Sequence, residues 1–148
     1  FIFFPSGGGQ RMFESPIALS QMTRTTLAVS ELKKNNLPYI ICFTDPTAGG
    51  ITASFAMLGD IHFAEMGSLI AFAGKRVVQA TVKEELPPDF QTAEFLEKHG
   101  FVDRVIHRKD VKKQISTILS ILLKKETEVN SKISNETSEL IIKSREAS

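Results

Sequence analysis

Strand-sized apolar runs alternate with helix-patterned stretches along most of this chain, and the runs repeatedly end in glycine-bearing turns. Phe1 to Phe4 is aromatic and β-prone and leads into Pro5-Ser6-Gly7-Gly8-Gly9, where backbone freedom is greatest. Tyr39 to Phe43 reads as a buried strand, closed by Thr44-Asp45-Pro46-Thr47 and the pair Gly49-Gly50. Ile61 to Ala64 and Leu69 to Phe72 are short strands flanking Met66-Gly67-Ser68, and Val102 to Ile106 is another. Between them, Ala18, Met22, Thr25, Val29 and Leu32 recur at steps of four and three and share one helical stripe. Ser15 is a candidate cap and Pro16 a candidate first helical residue, with a start as early as Arg11 compatible with the pattern. Lys33-Lys34-Asn35-Asn36 before Pro38 is a stop signal. Further helices are expected over Ile51 to Gly59, Val77 to Glu85 (stopped by Pro87-Pro88), Thr92 to His99 (ended by Gly100) and Val111 to Lys124. This alternation predicts an α/β architecture.

The 148 residues carry 18 Lys+Arg against 17 Asp+Glu, so no basic excess points to nucleic acid or an anionic membrane as the main partner. Cys42 stands alone and cannot form an internal bridge, which suits a reducing, cytoplasmic setting. No apolar run approaches the roughly 18 residues that a membrane span needs. The chain opens on a strand-like run without an initiator Met, which reads as a piece of something longer. From Lys125 onward the composition turns to Glu, Ser, Lys and Asn without Gly, Pro or aromatic residues. The expectation is a core over residues 1–124 and a polar, disordered tail over residues 125–148.

Gly7-Gly8-Gly9 and Gly49-Gly50 each sit between a strand end and a helix start. Glycines there leave backbone N–H groups unhindered, and a helix N-terminus adds partial positive charge, so the pattern suits a phosphate or a developing oxyanion. No P-loop Gly-x-x-x-x-Gly-Lys-Ser/Thr occurs, and Met12 stands where a dinucleotide fingerprint needs its third glycine. Oxyanion stabilisation remains the sharper reading, and plain tight turns remain the other. His62, His99 and His107 are possible bases and Ser6 or Ser54 possible nucleophiles, yet none lies in a Gly-x-Ser-x-Gly motif. Three scattered His and one Cys make no metal cluster. Asp45 reads as a turn or capping residue rather than a base. Arg11 and Arg76, after the turns at Gly9 and Gly74, can reach an anionic ligand or form surface ion pairs.

These residues closely resemble the β subunit of the bacterial acetyl-CoA carboxylase carboxyltransferase, in the crotonase-like superfamily. The likeness is carried by Gly8-Gly9-Gln10-Arg11-Met12 with Glu14, by Leu37-Pro38-Tyr39-Ile40, and by the run from Thr44 to Asp60 that contains Thr47-Ala48-Gly49-Gly50-Ile51-Thr52. It continues through Phe72 to Val77, Glu85 to Gln91, Glu94-Phe95-Leu96 and Gly100 to Asp103. Gly7, Met66 and Lys75 depart from the family's usual Ser, Pro and Pro.

The resemblance implies part of a crotonase-type spiral of ββα units. It implies transfer of a carboxyl group from carboxybiotin to acetyl-CoA, giving malonyl-CoA for fatty acid synthesis, within an ATP-dependent complex. By position it makes Gly49 and Gly50 an oxyanion-hole pair, and Gly8 and Gly9 the other turn of a thioester cleft. Arg76, Arg11 and Gly74 become substrate-binding candidates. Biotin would ride on a separate carrier and serve through its ureido group as the base, and zinc is expected only in a region upstream of this chain. The implied partners are the carboxyltransferase α subunit in an α2β2 assembly, the biotin carboxyl carrier protein and biotin carboxylase, and the chain alone should be inactive. Two alternatives stay open: an inactive fragment that only binds an α subunit, and a CoA-thioester hydratase or isomerase. The second needs well-placed carboxylates, for which Glu14 and Glu65 are the candidates. A Clp-type serine protease shares the superfold, but its Ser, His and Asp order is not recognisable.

Overall fold

The structure, a computed structural model, describes residues 1–9 and 12–123. The chain divides into two compact units, Phe1–Arg108 and Lys109–Ser148. Among the described residues the first unit holds β1 (Ile2–Phe3), α1 (Ser15–Lys34), β2 (Ile40–Phe43), β3 (Thr47–Ala48), β4 (Ile61–Glu65), β5 (Ile70–Ala71), α2 (Lys75–Val82), α3 (Ala93–Lys98) and β6 (Arg104–Ile106). In the second unit, α4 (Val111–Leu122) places Val111, Ile115, Ile118 and Leu122 on one stripe, as their spacing predicts. The tail expected from residue 125 lies outside the described residues.

A parallel sheet with strand order β1-β2-β4-β6 forms the spine, and β3 pairs with β5 in a second, two-stranded parallel sheet. Ile40 pairs with Ile61 and Phe43 with Ala64, while Thr47 pairs with Ile70 and Ala48 with Ala71. The chain thus lays one strand in the large sheet, turns, lays a short strand in the small one, and returns to the large sheet beside its predecessor. Gly7 bridges to Thr47 in the same parallel sense, so the Phe1–Gly7 segment repeats the path. This is the expected spiral of ββ units.

β2 is the most enclosed strand: Ile40, Ile41, Cys42 and Phe43 are all buried. A strand enclosed on both faces by a parallel sheet and its flanking layers must be apolar throughout, and each large side chain contributes about 1.5–3 kcal/mol by leaving water. Ile41 and Phe43 join Val29, Tyr39, Ala64 and Ile70 in the core. On α1, Val29 is buried and Ala18, Met22, Thr25 and Leu32 are half-buried, so the predicted stripe is the face the helix turns inward.

Three local expectations change. The helix predicted over Ile51 to Gly59 is instead a set of turns ending in a 3₁₀ segment at Phe55–Leu58. Thr52 Oγ1 lies 2.9 Å from Gly49 O and 2.8 Å from Ala71 O, and Ser54 Oγ donates to Gly50 O at 2.5 Å. Such side-chain bonds offer the backbone an alternative to the helical ladder, and Ala56 N–H reaches back five residues to Ile51 O. Ser15 is inside α1, preceded by Glu14 without a side-chain cap. α2 ends at Val82 because Lys83 takes a left-handed conformation, well before Pro87. At α3, by contrast, Thr92 Oγ1 caps Phe95 N–H and Gly100 adopts φ 76°, as a helix stop requires.

Candidate active site

The two glycine turns come together. Gly7 N–H donates to Pro46 O at 2.7 Å and Ala48 N–H to Gly7 O at 2.8 Å. Gly49 adopts φ 69°, and a Cβ there would meet Gly9 Cα at 3.3 Å. Gly9, at φ 129°, also needs the freedom of a residue without a side chain, whereas Gly8 has open space around it. Polar side chains pin this junction: Thr44 Oγ1 donates to Pro5 O at 2.6 Å, and the buried Thr47 hydroxyl lies 2.9 Å from Pro5 O and 2.7 Å from Thr44 O. Asp45 Oδ1 accepts Leu69 N–H at 2.8 Å, a bond to a residue 24 positions away rather than within its own turn.

The amides of the second turn divide. Ala48 N–H is held by Gly7, and Gly49 N–H is shared between Ala71 O and Phe72 O, both at 3.1 Å. Among the described residues no acceptor meets Gly50 N–H or Ile51 N–H. Of the expected Gly49-Gly50 donor pair, then, Gly49 N–H is committed to the Ala71 and Phe72 carbonyls, while Gly50 N–H has no acceptor among the described residues. The helix dipole expected behind the turn is missing too, since no α-helix follows it.

An apolar cleft of about 530 Å³ opens beside this turn, with Thr52, Ala53, Ala71 and Phe72 on the near wall and Phe90, Gln91 and Phe101 among its other walls. Thr52 and Gln91, buried polar residues in an otherwise apolar wall, were not singled out by motif; their only signal was position within the matched runs. Gly74 and Arg76 lie at the start of α2, with Arg76 exposed. Lys75, where the family usually has Pro, directs its ammonium to Pro87 O at 3.0 Å and Pro88 O at 3.3 Å. Arg11 lies outside the described residues.

Four of the side-chain candidates, Ser54, His62, His99 and Glu65, are engaged elsewhere. Ser54 Oγ bonds to Gly50 O, His62 Nε2 meets Ala56 O at 3.2 Å, and His99 Nδ1 meets Phe95 O at 2.7 Å, so neither histidine pairs with a serine through these contacts. Burial pushes the His62 pKa down, with Asp103 the main opposing influence. Glu65 takes a two-pronged ion pair from Arg108, Nε to Oε1 at 2.7 Å and an Nη to Oε2 at 2.8 Å. That pair holds its carboxyl below the usual carboxylate range, the wrong direction for a general acid. Among the described residues no three His, Cys, Asp or Glu side chains gather as metal ligands, and no helix is long and apolar enough to cross a membrane.

No family model matches the chain. It is 67% identical over 139 residues to the acetyl-coenzyme A carboxylase carboxyl transferase subunit beta of Pelagibacter ubique, covering 94% of this chain and 45% of that protein. It is 54% identical over 122 residues to the corresponding subunit of Caulobacter vibrioides, covering 82% of this chain and 40% of that one. A Natranaerobius thermophilus protein named as the carboxyl transferase subunits beta/alpha is 57% identical over 120 residues, covering 81% of this chain and 20% of its own length. The chain thus spans less than half the length of each. In structure it is similar to the transcarboxylase 12S multienzyme core, solved with hydrolysed methylmalonyl-coenzyme A, with a TM-score of 0.68, 23% identity, and coverage of 81% of this chain and 23% of that one. Over 94% of its length, then, this chain is similar in sequence to an acetyl-CoA carboxylase carboxyl transferase subunit beta, and it shares the fold of the transcarboxylase 12S core.

Proposed function

We propose that this chain supplies the thioester-activating part of a cytoplasmic acetyl-CoA carboxylase carboxyltransferase. The supporting observation is the junction of two glycine turns around an uncommitted Gly50 N–H, within a sequence 67% identical to a carboxyl transferase β subunit. Gly50 N–H polarises the thioester carbonyl of acetyl-CoA and stabilises the enolate oxygen when the methyl proton leaves. A fixed donor aimed at developing charge accelerates this step because it need not reorganise as the charge appears. Gly49 contributes by shape, turning the chain so that Gly50 faces outward, and Gly8 and Gly9 keep side chains out of the cleft. Arg76, near Gly74, pairs with the anionic part of the coenzyme, and Arg11 is its counterpart after the first turn.

The carboxyl donor is a biotin group carried by a separate protein, which supplies the carboxyl and, through its ureido group, the base. The site suits a base brought from outside, since Glu65, His62 and Ser54 are all bonded within the fold. The ion pair on Glu65 weighs against that residue as the free carboxylate a hydratase needs. The α subunit, the biotin carrier and biotin carboxylase are the partners this reading requires, and zinc belongs to a region upstream of Phe1.

The test replaces the matching stretch of the Pelagibacter ubique β subunit with this sequence and assembles it with the α subunit and biotinylated carrier. Malonyl-CoA formation is expected, with Gly50→Val lowering its rate by about 10²–10³ or more. A folded chimera that binds the α subunit without turnover would leave only a binding module, and turnover unaffected by Gly50→Val would overturn the oxyanion assignment.

A further inference from the structure

Gln91 stands on neither glycine turn, yet it is buried in the cleft wall with 7% of its surface exposed. Its backbone lies at φ 71°, a left-handed conformation that suits glycine or asparagine and persists in other residues only where the surroundings hold it. Its side-chain Nε2 donates to Ala73 O at 2.7 Å, and its backbone carbonyl accepts Ile70 N–H at 3.0 Å. Nearby, Ala93 N–H donates to Ser68 O at 2.9 Å and Leu69 bridges antiparallel to Thr92. The 91–93 segment therefore runs along the 68–73 segment, and Gln91 grips it at Ile70 and Ala73.

Between those two points lie the acceptors of the Gly49 turn. Ala71 O and Phe72 O share Gly49 N–H, and Ala71 O also meets Thr52 Oγ1. Gly49 N–H is thus held by a two-carbonyl ledge whose ends Gln91 bonds. A residue needed only to fill space beside Phe90 and Phe95 would be apolar, because a buried amide is costly unless bonded. An amide chosen for backbone tolerance would be Asn, which is one methylene shorter.

We propose that Gln91 is a positioning residue: by bonding both ends of the Ile70–Ala73 strand it sets the Ala71 and Phe72 carbonyls that hold Gly49 N–H, and so aims Gly50 N–H into the cleft. Its consequence for catalysis rests on the carboxyltransferase reading above; the positioning itself does not.

Amide hydrogen exchange in the complete 148-residue chain tests the positioning directly. In Gln91→Leu, Gly49 N–H is expected to exchange about tenfold faster while Ile41 N–H in the core strand changes less than about twofold. Gln91→Asn accepts the left-handed backbone but falls short of Ala73, so it should free Gly49 while Ile41 N–H still changes less than about twofold, a split that general destabilisation would not produce. It also carries the test if the Leu variant does not fold. Unchanged Gly49 exchange in the folded Asn variant overturns the proposal. In the assembled chimera, Gln91→Asn should lower kcat about tenfold and leave the KM for acetyl-CoA within about twofold, since only charge stabilisation is affected. A raised KM with unchanged kcat would refute the link to Gly50. A wild-type chimera without turnover would remove the proposed function, while the exchange data still decide whether Gln91 positions Gly49.

Discussion

Gly9 and Gly49, forty residues apart in sequence, approach so closely that a Cβ on Gly49 would stand 3.3 Å from Gly9 Cα. The contact follows from the small parallel sheet: Gly7 pairs with Thr47, so the residues just beyond each strand emerge side by side. A glycine-rich turn at one strand end is an ordinary loop. Two such turns abutting, with no acceptor for the Gly50 amide among the described residues, are what the proposed thioester site rests on.

Gly49→Ala should therefore be costly on two counts, the left-handed φ of 69° and the crowding against Gly9. The expected loss is about 1–3 kcal/mol in urea unfolding. Gly8→Ala, with nothing within 4 Å, should fall within about 0.5 kcal/mol of the parent. Equal midpoints for the two variants would mean that the turns do not meet as described.

Gly59→Ala tests a different contact. A Cβ there would lie 2.8 Å from Ile41 Cγ1 and 3.1 Å from His62 Nε2. Ile41 is fully buried in the central strand and cannot swing aside, so overpacking should destabilise the fold by about 1–3 kcal/mol. Thermal unfolding followed by circular dichroism reads this directly.

His62 gives the fold a defined response to acid. Burial holds its folded pKa below the ordinary 6.5, opposed by Asp103, contact with Ala56 O and Asp60, and reinforced by Lys33. The unfolded chain then binds the proton more readily, so stability is complete above about pH 6.5 and declines as pH falls through the depressed folded pKa. His62→Gln should flatten the stability curve on the acid side of pH 6.5 relative to the parent. Parallel curves for the two proteins would contradict a buried neutral imidazole.

Cys42 is fully buried, and burial, with Glu65 adding to it, pushes its thiol pKa up to about 11. Only a thiolate reaches a disulfide reagent. At pH 8 the folded protein should react slower than the urea-unfolded chain by about 10³-fold or more, because labelling waits on opening of the core. Rapid labelling of the native protein would show that β2 is not the enclosed strand.

Much of this was legible in residue order. The alternation of apolar runs and helical stripes identified the strands and α1, because burial selects side chains with the period of the backbone they sit on. The matched runs located Gly8, Gly9, Gly49 and Gly50 together. The Ile51–Gly59 helix was misread because Thr52 and Ser54 have acceptable helical spacing, and nothing local reveals that the Thr52 hydroxyl will find Ala71 O instead.

The sequence alone determined the α/β class and the glycine turns, since these depend on local periodicity and on residue types that only certain backbones tolerate, and its matched runs carried the likeness to carboxyltransferase β subunits. Tertiary structure alone decided that Gly49 N–H is held by Ala71 and Phe72 while Gly50 N–H meets no acceptor among the described residues, and that Gln91 Nε2 bonds Ala73 O. The reason is physical: a hydrogen bond is won by whichever acceptor the fold brings within about 3 Å, and for these residues the competing acceptors come from segments distant in sequence.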